Sequence, residues 1–493
     1  MNTLVKSNLA SFSYFVPELL VIIGILALII LELVFKKETK RKFATLFTLA
    51  TLIIGFIAVI GVGMPKNHQF LFNRMLVYDG VAYYFRILFF LSTFFIVLLS
   101  YISVEISEKE YTETMILMLS LLVMMDLLAS SFNMLMLYLS LEGVSLLSYI
   151  LTANKRGDVR AAEAGLKYTI YGGVASGVML FGFSLLYGLT GSLDLTAIMK
   201  NLSGQYGALI FVAAILIIVG FGYKIAAVPF HQWSPDVYEG APTPVTAFLS
   251  IGPKAAGFAI LARFFYNVFS NGTAPLKFFP WLLIFWLLSV ATMLVGNYAA
   301  INQNNLKRLL AYSSIAHAGY MLMGMTFVGH LGLRAIFFYL FAYFIMNLGA
   351  FAVVSFMVNK TGSEEIGDYL GLGRTEPLVA VAFTIFLLSL TGIPPTVGFI
   401  GKFYLLIGVI FKGGFLYYLL AFIAVFFTVI SLFYYARVLK RMYLDPVEEL
   451  KEVGFGVYEK AYVSVLAIPV IILGIYWQPL MHLIQKALES SVF

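Results

Sequence analysis

The sequence predicts an all-α fold: a polytopic membrane helical bundle of about 14 transmembrane helices, containing two inverted five-helix repeats, each with a broken helix. Three observations carry this. Hydrophobic residues make up 61% of the 493 positions and charged residues 12%, too little polar surface to cover a water-soluble globule. Apolar runs recur near the roughly 20 residues that cross a hydrocarbon core of about 30 Å, and the roughly 10-residue alternation of an outer-membrane barrel is missing. Two long spans, five helices apart, each contain a proline-bearing interruption.

The first span, 12–35, is long enough to cross and ends in KKETKRK instead of a small-residue cleavage site, so it is read as a retained helix and not a signal peptide. Spans 43–63 and 78–103 complete an N-terminal three-helix segment, 1–110. A first repeat, 111–265, holds spans 111–129, 133–153, 162–190, 207–238 and 240–265, the fourth broken at AAVPFHQW. A second repeat, 277–439, holds spans 277–299, 308–328, 331–358, 376–411 and 416–439, the fourth broken at TGIPPTVGFIGKF. A loop and a last span, 460–478, fill 440–493. An odd repeat of five helices inverts the second copy. Proline and glycine are common in membrane helices, so one break says little; two at corresponding places point to a midplane pathway.

Cysteine is absent, which excludes disulfides, thiolate-held iron–sulfur clusters and covalent haem attachment, and the five histidines lack ligand spacing, so no metal site is expected. Neither a GxGxxG fingerprint nor a P-loop is present. Any redox chemistry is therefore expected elsewhere. The net charge of +7 sits mostly in loops, where it fixes orientation, and nucleic acid is not an expected partner. Loops on one side carry about twice as many Lys and Arg as those on the other, which places the richer side in the cytoplasm and both termini outside.

A charge near the bilayer centre costs about 2.5–3.5 kcal/mol on insertion scales, so each one needs a partner, water or a task. Glu142 lies mid-span in MLMLYLSLEGVSLLSYI, with Ser145 and Tyr149 on its face. Lys224 sits at the first break, Lys254 follows Pro253, and Lys402 follows the second break. His317 is the histidine well inside a span; it suits a bridge between Lys254 and Lys402, or a hydrogen bond to a neighbouring helix. Lys167, about a turn inside its span, is a weaker candidate that has room to snorkel. Glu18, Glu32, Asp79, Arg86 and Asp126 are further buried charges read mainly as packing contacts. Burial and a neighbouring carboxylate act on a lysine's proton in opposite senses, which a proton relay requires, whereas lysines repel Na⁺. Lys224 ends one half-helix and Lys402 begins another, so the two are expected to face helix ends of opposite polarity.

The segments EAGLKYTIYGGVASGVMLFGFSLLYGLTGS, GYKIAAVPFHQWSPDVYEGAPTPVTAFLSIGPKAAGFAILAR, NLKRLLAYSSIAHAGYML and TGIPPTVGFIGKFYL resemble the antiporter-like membrane subunits of respiratory complex I, the proton-pumping NADH:quinone oxidoreductase. SPDVYEGAPTPV, Lys402 and the lack of room for a long lateral helix resemble the subunit N branch. The match is strongest from Lys167 to Lys402 and loose over the first three helices and the C-terminal end. The resemblance implies that Glu142, Lys224, Lys254 and Lys402 form a polar axis along the membrane midplane, with His317 where relatives place a bridging group. It implies proton translocation coupled to quinone reduction, with no cofactor in this chain: NADH, FMN, iron–sulfur clusters and quinone bind partner subunits. Implied partners are other membrane-arm subunits and the lipid bilayer, in a bacterial inner membrane. A multisubunit Na⁺/H⁺ antiporter or a membrane-bound hydrogenase is the alternative setting within the same family.

Overall fold

The computed structural model describes residues 2–34, 40–202, 204–272, 274–277, 279–447 and 453–493. The N-terminal helices are α1 (Asn2–Tyr14), α2 (Val16–Val34) and α3 (Lys40–Val62), followed by a hairpin of β1 (Gln69–Leu71) and β2 (Leu76–Tyr78) and by α4 (Gly80–Ile102). Next come α5 (Tyr111–Ser130), α6 (Met134–Ala153), α7 (Val159–Thr190), α8 (Leu195–Asn201), α9 (Gly207–Ile225), α10 (Trp233–Gly240) and α11 (Thr243–Phe269). The second half holds α12 (Trp281–Ala300), α13 (Leu306–Met323), α14 (His330–Thr361), α15 (Leu372–Thr375), α16 (Pro377–Thr391), α17 (Val397–Lys412), α18 (Phe415–Tyr443), α19 (Val457–Ile475) and α20 (Gln478–Glu489).

Among the described residues, 12 helices are long and apolar enough to cross a membrane. α13, an 18-residue helix carrying Lys307, Arg308 and His317, and the broken pair α16–α17 supply the other two of the expected spans. Differences lie at the edges. The first expected span divides at a bend at Phe15, with Pro17 in the first turn of α2, where its missing N–H costs no helical bond. The expected end at Phe35, together with Lys36, Lys37 and Lys451 of the charge count, lies outside the described residues. The hairpin, α8 and α20 were not foreseen; α20 tucks Leu480, Ile484 and Leu488 against α4 and α14.

Helix ends follow local chemistry. Asp79, Asn133, Asp158, Asp194 and Asn305 cap α4, α6, α7, α8 and α13 through their side chains. α7 and α14, each 32 residues long, both stop at a left-handed glycine, Gly191 and Gly362.

Every residue of α11 is buried, and α14 is nearly so. Both carry apolar residues around most of their circumference, as expected of core helices. They pack against each other, with α4, α5 and α9 beside α11 and α13, α16, α17 and α19 beside α14. A charge on α11 is therefore surrounded by protein, not lipid. α12 and α13 approach closely through small residues: a Cβ on Gly296 would lie 2.5 Å from the Ala316 nitrogen, and one on Gly319 would lie 2.6 Å from that of Met293. That contact fixes the level of His317.

Candidate proton-carrying site

The first break begins where α9 ends. Ala226 is left-handed (φ 57°), and the Ala227 N–H returns to the Gly222 carbonyl at 2.7 Å. The freed backbone is satisfied by protein: the Val228 N–H donates to Thr292 Oγ1 of α12 at 3.0 Å, and the indole N–H of Trp233 donates to the Tyr223 carbonyl at 3.0 Å. Trp233 stacks on Tyr168 of α7 at 4.3 Å, which holds α10 in place. At the second break α16 stops at Gly392 (φ 89°), whose N–H donates to the Leu388 and Ser389 carbonyls.

Lys224 sits in the last turn of α9 and is 2% exposed. Its ammonium donates to Ser145 Oγ on α6 at 3.2 Å. Glu142, one turn before Ser145, is half-buried; its Oε1 is buried without a hydrogen-bond partner, and it acts on Lys224 through space. Lys224 therefore reaches the Glu142 face through a serine and not by direct ion pairing.

The stem of Lys224 lies against α11: a Cβ on Gly257 would meet Lys224 Cγ at 3.3 Å. Lys254 is one turn back on that helix, just after Pro253, and is 2% exposed. Its ammonium donates to the Ser314 carbonyl at 2.8 Å, donates to Ser314 Oγ, and faces the Tyr343 ring at 6.0 Å.

His317 lies one turn beyond Ser314 on α13. Its Nδ1 is 2.6 Å from the Tyr339 hydroxyl, and the rings of Tyr320, Tyr339 and Tyr343 surround it at 5.3–6.1 Å. Lys402 of α17 places its ammonium 4.3 Å from the Tyr320 ring centre. Lys254 and Lys402 thus each reach a tyrosine ring that packs on His317, Tyr343 for the first and Tyr320 for the second. Direct hydrogen bonds from His317 to either lysine are not part of the arrangement.

Lys402 corrects the expectation about helix ends. Its ammonium reaches back over the break and donates to the Thr391 carbonyl, the last residue of α16, at 2.8 Å. The stem crosses Gly392, where a Cβ would lie 2.8 Å from Lys402 Cδ. Lys224 sits in the last turn of its own half-helix and Lys402 binds the last carbonyl of the half-helix before it, so both lie at a carbonyl-rich helix end.

Lys167 stands apart. It pairs with Glu163 and Asp236 at 2.7 Å in a half-exposed cluster at one membrane end, where Arg308 also holds Asp236 at 2.8 Å and Glu239 at 2.6 Å. Asp79 and Arg86 go to separate partners: Asp79 binds Arg263 of α11 through two bonds of 2.9 Å, and Arg86 binds Glu18 at 2.6 Å.

The profile of the family described as "NADH:quinone oxidoreductase/Mrp antiporter, TM" matches residues 131–431, which include every residue of the line from Glu142 to Lys402. The chain is 44% identical to the NADH-quinone oxidoreductase subunit N 2 of Sorangium cellulosum, covering 98% of each. It belongs to the subunit N family of NADH-quinone oxidoreductases. A chain of respiratory complex I from Thermus thermophilus superposes with a TM-score of 0.78 at 30% identity, covering 94% of this chain and 98% of that one. A chain of the Mrp complex from Dietzia superposes at 0.81 with 21% identity over 96% of each chain, a likeness of fold.

Within this subunit N fold, the residues that sequence reasoning missed are the connectors. Ser314 and Tyr320 flank His317 at i−3 and i+3 in AYSSIAHAGYML, a spacing visible in the sequence. Tyr339 and Tyr343 come from α14, and the Thr391 carbonyl accepts from Lys402 across the break, so no local spacing announces them.

Proposed function

We propose that this chain is a proton-translocating module of the membrane arm of a NADH:quinone oxidoreductase, with Glu142, Lys224, Lys254, His317 and Lys402 carrying the protons. One observation supports this most: Ser145, a turn from Glu142, takes the Lys224 ammonium, the Lys224 stem packs on α11 a turn from Lys254, Lys254 binds Ser314 a turn before His317, and Tyr320 packs on both His317 and Lys402. Protons enter from the cytoplasm toward Lys254 or His317, move along the line as ammonium and imidazole groups exchange them, and leave from Lys402 or through a neighbouring subunit. Lysine-rich stations favour protons over Na⁺, which calls for converging oxygens.

The same proposal divides the chain into an N-terminal segment (1–110), two inverted repeats (111–265 and 277–439) and a C-terminal part (440–493). Support comes from the paired 32-residue helices α7 and α14, each followed by a half-helix that ends at a left-handed residue. Other membrane-arm subunits flank the chain in a bacterial inner membrane, both termini face outward, and the electron carriers and quinone bind in partner subunits. Purification of the tagged chain in mild detergent tests this. The expected result is a NADH-oxidising, quinone-reducing assembly whose pumping is independent of Na⁺; recovery with a nickel–iron hydrogenase, or Na⁺-dependent transport, overturns it.

A further inference from the structure

A second set of buried charges lies away from this line. Glu18 in the first turn of α2 pairs with Arg86 of α4 at 2.6 Å, both at most 3% exposed. Arg86 also donates to the Tyr14 carbonyl at 3.1 Å and lies over the Tyr78 ring at 4.6 Å. Asp126 of α5 is 3% exposed, and neither of its carboxyl oxygens has a hydrogen-bond partner. It interacts electrostatically with both Glu18 and Arg86. Arg86 Nε and Glu18 Oε2 are also buried without partners.

Charge counting gives the rest. Two carboxylates face one guanidinium, so full ionisation leaves one uncompensated negative charge in an apolar interior, and a single proton removes it. Among the described residues no second cation pairs with the cluster: Tyr78 covers Arg86 from the hairpin, and Arg263 of α11 is committed to Asp79 and to the Ala129 carbonyl. Met124 of α5 packs on Gly143 of α6, and Asp126, two residues on, turns to the other side of α5, where α2 and α4 pack. The cluster therefore lies on the α2–α4 side of α5, with Tyr78 of the hairpin over Arg86.

We propose that Asp126 and Glu18, sharing Arg86, form a second buried proton site off the lysine line, holding one exchangeable proton between them. The proton bonds to a carboxyl oxygen of either residue, moves between the two as Arg86 changes partner, and is released to water or to a neighbouring carboxylate. Only O–H bonds form and break.

The test is infrared spectroscopy of the intact purified complex, with the carbonyl band of a protonated, deuterium-sensitive carboxylic acid as the signal. Both Asp126→Asn and Glu18→Gln are expected to lose that band, because either change leaves one carboxylate to ionise against Arg86; Asp126→Glu is expected to keep it. Glu142→Gln is expected to keep it too, which separates this site from the line. A band unchanged in Asp126→Asn, or surviving in Glu18→Gln, overturns the shared site. Loss of the wild-type band on adding Na⁺ at fixed pH also overturns it, by showing a metal cation in the proton's place.

Discussion

Replacing Tyr339 by Phe isolates one link. The ring is buried and Phe keeps its shape, so the change removes a hydroxyl without opening a cavity. What is lost is the 2.6 Å contact to His317 Nδ1, leaving a ring nitrogen that is 2% exposed as a residue without its observed partner. Leaving a buried polar atom unsatisfied costs about 1–3 kcal/mol. If that cost falls on the step in which His317 passes a proton between Lys254 and Lys402, it slows the step roughly 5- to 150-fold, at about 1.36 kcal/mol per factor of ten. The assay is NADH-driven acidification of proteoliposomes containing the whole complex, beside NADH oxidation by the same complex with an uncoupler added. The expected result is slowed pumping, with NADH oxidation recovering when the proton gradient is collapsed. Wild-type pumping in both Tyr339→Phe and His317→Phe would refute the reasoning, since His317 would then carry nothing.

Other outcomes follow from the same contacts. Ser145→Ala removes the acceptor for the Lys224 ammonium; a hydrogen bond to a charged group contributes about 1.5–3 kcal/mol, so pumping is expected to fall by at least several-fold, with Ser145→Thr close to wild type in the same liposome assay. Arg263→Met strands Asp79 at 0% exposure and loosens Val492, whose N–H donates to Asp79; thermal melts of the purified complex are expected to show a loss of about 3–5 kcal/mol. In the loop before α8, burial opposes ionisation of Asp194, but Arg74 at 2.7 Å, the Thr196 hydroxyl and the first amides of the helix outweigh it and hold the carboxyl below its usual range. A depressed carboxyl adds stability above its unfolded value of about 3.9 and loses it as pH falls from there through the folded value, so the melting gap between wild type and Arg74→Gln is expected to hold at pH ~5–6 and to shrink as pH drops below ~4.

Much of this fold is legible because lipid forces it. Backbone groups in hydrocarbon must bond within the segment, so twenty apolar residues spell a helix with little ambiguity, and a proline pair inside one spells a break. α13 is the exception, with Lys307, Arg308 and His317 in a short span; the AYSSIAHAGYML stretch marks it, not its hydropathy. Glu142, Lys224, Lys254 and Lys402 stand out since charge in an apolar run is conspicuous. Contacts between distant helices do not. Asp79 and Arg263 are separated by 184 positions and meet through the packing of α4 on α11, and Tyr339 reaches His317 from another helix. Lys402 shows the same limit at short range: its place in sequence puts it at one helix end, while its flexible side chain takes the ammonium to the other.

Lys254 tests the central claim most directly, being enclosed on the wholly buried α11 and joined to the groups on both sides. Lys254→Met keeps the bulk of the side chain and removes the proton. The decisive measurement is the ratio of protons pumped to NADH oxidised in proteoliposomes containing the assembled complex. A continuous line predicts a lower ratio in Lys254→Met, with the complex intact; a wild-type ratio would contradict it.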